Sequence, residues 1–201
     1  MIKKTLIALT SLSLLVGCTS ATSSAVPEVE IMDAQEVAER FEEEAVDITP
    51  EPEPEYQWRL EGASVQEQMA LRAFQDRGIT DRLALATLMG NVKHESQFKP
   101  DICEGGARVP YEQCHTGGFL IQWTTVNRYN GLGQFCRRYD CNPSTTEGQL
   151  RYLFNEVQWQ RVEHIFKTPG KSIEWYTKHG AYPWLGWGIH GARTDYAYDY
   201  A

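Results

Sequence analysis

The chain has no basic surplus, no Cys-x2-Cys pair, no internal repeat and no long membrane-spanning apolar run. Each absence closes a class. A formal charge of −8 over 201 residues offers no electrostatic footprint for nucleic acid. Without a Cys-x2-Cys pair the usual ligand spacing of a structural zinc site is missing, and neither metal nor cofactor is expected. The apolar stretch from Leu6 to Val16 is shorter than the roughly 20 residues a spanning helix needs.

What is present divides the chain into three parts. Lys3 and Lys4 precede the apolar stretch, which ends in Leu15-Val16-Gly17-Cys18. That order of charge, apolar run, small residue and cysteine reads as an export signal and resembles the lipobox of bacterial lipoproteins. The resemblance implies cleavage before Cys18 and lipid attachment there. The expected location is the cell envelope, tethered to a membrane. Thr19 after the cysteine, rather than Asp, points to the outer membrane if the cell has two. A virion is the less favoured location. Residues 19–57 hold twelve acids against one Arg, whereas residues 58–201 hold sixteen Lys and Arg against fifteen acids. The acidity therefore belongs to 19–57, a Ser/Thr- and Glu-rich stretch closing in the Pro-Glu alternation Pro50–Glu55. Such a composition buries too little apolar area to offset its ordering entropy and reads as a linker.

With Cys18 lipidated, Cys103, Cys114, Cys136 and Cys141 remain, an even number in an exported protein. Three pairings are possible. Cys103–Cys114 and Cys136–Cys141 are favoured because each closes a short loop rich in Gly, Pro or Asn.

The folded part, 58–201, reads as mainly helical. Ser64-Val65-Gln66-Glu67 is a capping-box pattern opening a helix to Arg77, stopped by Gly78. Thr80 is placed to cap a second helix ending at Glu95. Gly105, Gly106, Pro110, Gly117 and Gly118 mark 101–118 as loop. Phe119 to Trp123 fits a buried turn or strand fragment, and Thr124 or Thr125 starts a third helix toward Tyr139. Ser144-Thr145-Thr146-Glu147 repeats the capping pattern and opens a helix through Lys167. Ser172 caps a short helix to Lys178, and a last helix starts near Gly191.

Glu95 is the residue on which function turns. Leu85, Leu88 and Val92 follow the spacing of a buried helix face, with Asn91 and Lys93 pointing elsewhere. Glu95 falls at the flank of that face, in the last turn. Burial and the negative end of the helix dipole both favour the protonated carboxyl that a general acid requires. The same spacing also fits a surface Glu in a fraying turn.

Two stretches taken together favour the acid. Glu95-Ser96-Gln97-Phe98-Lys99-Pro100 resembles the Glu-Ser-x-Phe-x-Pro motif of the lysozyme-like superfamily, which includes goose-type lysozymes and lytic transglycosylases. Gly118-Phe119-Leu120-Ile121-Gln122-Trp123 is similar to the Gly-x-x-Gln-type motif that follows it there. The phage tail lysozyme group is the nearest likeness, through the Gly90-Asn91 helix end, Arg128 after the second motif, and a closing aromatic and Arg segment, Trp187–Tyr200. The resemblance implies an α+β, lysozyme-like fold of mainly α content, with a disulfide-pinned irregular lobe beside the cleft. It implies a peptidoglycan substrate cut at the MurNAc-GlcNAc β-1,4 bond, with Glu95 as acid. Ser96 would hold the loop or the sugar, Gln122 would offer an amide to N-acetyl groups or to Glu95, and Phe119 and Trp123 would stack on sugars or wall the cleft.

No second carboxylate is assured: Asp101, Glu104 and Glu112 lie on the adjacent loop, yet each fits a solvated role. Hydrolysis and lytic transglycosylation therefore stay open. The alternatives of other classes are a non-catalytic peptidoglycan-binding or structural envelope lipoprotein, and a Cys/His peptidase built on Cys103 or Cys114 with His94 or His115. The even cysteine count argues against the peptidase.

Overall fold

The computed structural model describes residues 57–186 and 191–201. The export signal, Cys18, the acidic stretch up to Tyr56 and Trp187 lie outside the described residues.

Helix α1 (Val65–Asp76) begins at Ser64, whose side chain and that of Glu67 form the reciprocal capping box. The chain then turns through Gly78 at φ 81°. Helix α2 (Arg82–Ser96) is the centre of the molecule, with ten of its fifteen residues buried. Its cap is Asp81 rather than Thr80. One Asp81 oxygen accepts from the N–H groups of both Leu83 and Ala84, and the Thr80 carbonyl is taken by the Trp58 indole at 2.8 Å. Asn91, expected to point away, is buried and donates to the Thr87 carbonyl. Beyond Ser96 the helix stops abruptly, with Gln97 and Phe98 both in the left-handed region at φ 54° and 60°.

The lobe from Asp101 to Thr125 is irregular. Among the described residues its β content is limited to single bridges, Ile102 with Arg108, Cys103 with Gly118, and Gly118 with Trp123. Two things hold it. The Cys103–Cys114 disulfide closes it, and Tyr111, Phe119 and Tyr129 stack with centroids 4.6 to 6.0 Å apart. Burial pushes the Tyr129 phenol up to about 12, so its hydroxyl stays a donor to the carbonyls of Tyr111 and Cys114.

Helix α3 (Val126–Tyr139) runs to the Cys136–Cys141 disulfide; both bridges are the expected ones. Thr145, not Ser144, caps α4 (Thr146–Asn155), since the Ser144 hydroxyl accepts instead from the Tyr111 N–H. The single helix expected through Lys167 is two, broken at Glu156 before α5 (Val157–Phe166). Glu156 leaves the helix at ψ 140°, and its carboxylate receives the Arg128 guanidinium through two bonds of 2.8 and 2.9 Å. That side chain is 1% exposed, so an unpaired charge there would cost several kcal/mol, on the order of 3–5. The ion pair sets the break.

After Ser172 a short helix α6 (Ile173–Tyr176) continues through a wider π-type turn, Thr177–Ala181, into α7 (Tyr182–Leu185). This helical run goes well past the expected end at Lys178. Helix α8 (Gly191–Tyr200) closes the molecule against α2. Phe74, Trp159, Phe166, Tyr176 and Trp184 form an aromatic core, in which Trp159 contacts Phe74, Phe166 and Trp184 at 5.7, 5.8 and 5.2 Å. No helix among the described residues is long and apolar enough to cross a membrane.

Candidate active site

Glu95 occupies the last turn of α2, one residue before the helix ends. Its side chain is 6% exposed, so the surface-residue reading is excluded. Its partner is Arg193, which comes from α8, 98 positions later in the chain. Arg193 Nη2 lies 2.5 Å from Glu95 Oε1, and Nε lies 3.1 Å from the same oxygen. The guanidinium gives the withdrawn carboxyl a direct partner inside the fold. The local sequence of α2 gives no sign of it.

The approach of α8 depends on Gly90. A methyl group placed there would sit 2.4 Å from the Ala197 backbone nitrogen, so only glycine lets the two helices meet at this distance. Further along the same contact, Lys93 lies over the rings of Tyr196 and Tyr200 at 5.3 and 5.1 Å, and Tyr200 donates to Glu67 at 2.6 Å. His94 packs edge-on against Tyr196 at 6.3 Å. Its imidazole is held below the ordinary histidine range by burial and by Arg193, with Glu95 pulling the other way. On α7 the Tyr182 phenol is pushed up by burial, and Arg193 works against that shift. Glu95, Arg193, His94 and Tyr182 thus share one electrostatic neighbourhood, drawn from three helices.

The two motifs meet through buried hydrogen bonds. Ser96 Oγ donates to the Leu120 carbonyl at 2.8 Å, which makes Ser96 a tie between the motifs. The Leu120 N–H donates at 3.0 Å to Gln149, whose amide in turn donates to the carbonyls of Pro100 at 2.6 Å and Pro143 at 2.8 Å. Gln149 is fully buried on α4. Sequence reasoning missed it; a polar side chain in the buried helix face opened by Thr146 was the available signal.

Gln122 is half-buried and donates from Nε2 to the Phe119 carbonyl at 3.2 Å, bracing its own turn. Phe119 and Trp123 correct the expectation of a sugar-stacking surface, since both are 0% exposed and neither ring is open to a ligand. Phe119 joins the tyrosine stack and Trp123 packs on Tyr152 at 5.4 Å. Gln97, Phe98, Phe119 and Gln122, four of the five non-glycine residues with positive φ among those described, fall in the two motifs. Strained backbone of this kind persists where surrounding contacts over-determine it, and it gathers at functional sites.

Of the carboxylates on the lobe, Asp101 is engaged by Arg108 at 2.5 Å, and Glu104 and Glu112 are exposed. A cavity of about 410 Å³ bounded by Trp58, Leu71, Leu85, Met89 and Tyr200 includes no residue of either motif. Among the described residues no three His, Cys, Asp or Glu side chains gather as a metal site.

A mainly helical domain with two disulfides and a Glu-Ser helix end tied to the Gly118–Gln122 turn is a lysozyme-like domain. The family model described as phage tail lysozyme matches residues 65–182, from the start of α1 to the start of α7. The chain belongs to that family. Neither a curated protein nor a solved structure is significantly similar to it. Membership points to a lysozyme-like role in peptidoglycan degradation. Arg193 lies beyond the matched span.

Proposed function

We propose that the domain is a peptidoglycan glycosidase that cleaves the MurNAc-GlcNAc β-1,4 bond with Glu95 as general acid. The observation that carries the reading is a carboxyl withdrawn from water at the end of α2, one residue from the Ser96 tie to the second motif. In the reaction the MurNAc C1–O4 bond breaks, its electron pair goes to the leaving oxygen, and that oxygen takes the proton from Glu95. The oxocarbenium-like centre left at C1 is captured by the oxygen of water or of the sugar's own C6 hydroxyl, and the proton that oxygen loses restores the Glu95 carboxyl. Ser96 and Gln149 keep the turn after Glu95 in place while this happens, and Gln122 braces the turn they tie it to.

Glu95→Gln preserves size and hydrogen bonding but has no acidic proton. On purified peptidoglycan, turnover should fall by roughly 10²–10⁴-fold, with the far-UV circular dichroism of the unmutated protein retained and thermal stability lowered, because Arg193 loses its buried partner charge. Reducing glycan ends among the products would identify a hydrolase, and 1,6-anhydro ends a lytic transglycosylase. Digestion by Glu95→Gln at the unmutated rate would sink the assignment. A protein that binds the polymer and never cuts it would be a wall-binding envelope protein instead. The Leu15–Cys18 sequence supports a further part of the proposal: the mature protein is exported, lipidated at Cys18 and held off a membrane by residues 19–57.

A further inference from the structure

The two hydrogen bonds that Arg193 makes to Glu95 converge on one carboxylate oxygen, Oε1, and neither reaches Oε2. That asymmetry distinguishes the two oxygens. A side-on guanidinium bridging both would leave no oxygen suited to hold a proton, whereas this one fixes the carboxyl by one corner. We propose that Arg193 is a positioning residue: it grips Oε1 and leaves Oε2 as the oxygen that carries the proton and delivers it to the glycosidic oxygen. The proposal rests on the glycosidase reading above.

The physical case has three parts. The Glu95 and Arg193 side chains are 6% and 10% exposed, so their attraction is little screened by water. Long side chains held by a buried pair also lose rotamer freedom before the reaction rather than during it, which is where orientation raises rate. Finally, negative charge grows on Glu95 as its proton leaves, and a fixed cation beside Oε1 stabilises that developing charge. The interaction strengthens along the reaction, so its loss falls on kcat and not on substrate binding.

The placement of Arg193 is built in from a distance. Helix α8 is set on α2 by the Gly90–Ala197 contact and the Lys93 contacts to Tyr196 and Tyr200, and on α1 by the Tyr200–Glu67 hydrogen bond. Tyr198 is tied to Glu174 on α6. Among the described residues, the other titratable groups facing the pair are His94 from α2 and Tyr182 from α7.

The test compares Arg193→Ala and Arg193→Lys with the unmutated full-length chain on soluble glycan strands of defined length. Arg193→Ala should lower kcat by about 10–100-fold with little change in KM. Arg193→Lys, a cation without the planar fork, should restore part of the loss. Guanidinium ion at low millimolar concentration should rescue Arg193→Ala and leave Arg193→Lys unmoved. His94 supplies a readout independent of catalysis. Its titration by NMR should move to higher pH in Arg193→Ala, where a repelling cation is lost, and to lower pH in Glu95→Gln, where an attracting anion is lost. An unchanged kcat, a loss confined to KM, or a gain in activity on removing Arg193 would overturn the proposal. If Arg193→Ala does not fold, the Lys variant decides it, because full activity there would mean that geometry at Oε1 is unimportant. An unmutated protein that never cuts peptidoglycan removes the glycosidase reading and the proton delivery with it. Absent His94 shifts, in a protein that does cut, remove only the Arg193 proposal.

Discussion

Gln149 makes three hydrogen bonds with one amide, accepting from the Leu120 N–H and donating to the carbonyls of Pro100 and Pro143. Pro100 ends the first motif and Leu120 lies inside the second, so this side chain measures the distance between them. The alternative partner for each group would be water, which has no access at a fully buried position. Gln149→Leu keeps approximate volume but strands one donor and two acceptors. Each buried group left unpaired costs about 1–3 kcal/mol, and urea unfolding should register a loss of at least about 2 kcal/mol. Activity should fall further than stability predicts, because Leu120 also receives the Ser96 hydroxyl beside Glu95. A variant with wild-type turnover would mean that the tie between the motifs does not set the position of the acid.

At the scale of elements, the pair α2 and α8 decides whether Glu95 meets Arg193. Gly90→Ala adds one methyl group against backbone, 2.4 Å from Ala197 nitrogen and 2.6 Å from its Cα. Backbone cannot rotate aside as a side chain can, so α8 must shift. Overpacking of this kind costs typically about 1–3 kcal/mol, partly offset by the better helix propensity of alanine. The expected result is a modest loss of thermal stability with a large loss of turnover, since moving α8 moves Arg193. Wild-type turnover at reduced stability would separate the helix contact from catalysis. The break between α4 and α5 follows the same logic. Glu156 gives up its helical conformation because the buried guanidinium of Arg128 offers its carboxylate more than one further turn of helix would.

For the whole molecule, charge and cysteine distribute function along the chain. The described domain has disulfides at Cys103–Cys114 and Cys136–Cys141, each typically worth about 2–4 kcal/mol by constraining the unfolded chain. The first closes the irregular lobe, where single β-bridges leave little backbone pairing to hold it. Such bridges persist outside the reducing cytoplasm, in accord with the proposed export. Cys18→Ala should therefore move the protein from the membrane fraction to the soluble one without changing its activity on soluble glycan. Radiolabelled fatty acid that never enters the unmutated protein would reject the anchor.

The sequence by itself determined most of the helices and the first motif, and it favoured the disulfide pairing found. Capping boxes, glycine stops and apolar spacing act within a few residues, and short cysteine loops restrict their own closure. It also placed Glu95 on the flank of a buried face, because helical periodicity is a local property. Tertiary structure decided the rest. Phe119 and Trp123 went to the core because the lobe closes over them, which no spacing inside the motif records. The helix expected through Lys167 broke at Glu156 because its partner, Arg128, sits 28 residues earlier. Glu95 met a guanidinium rather than an apolar wall because Arg193 arrives from 98 residues away, across a contact that Gly90 permits. Local pattern fixes where helices run and which of their faces carries the apolar stripe; the packing of distant elements fixes what closes over the lobe and which charges meet inside.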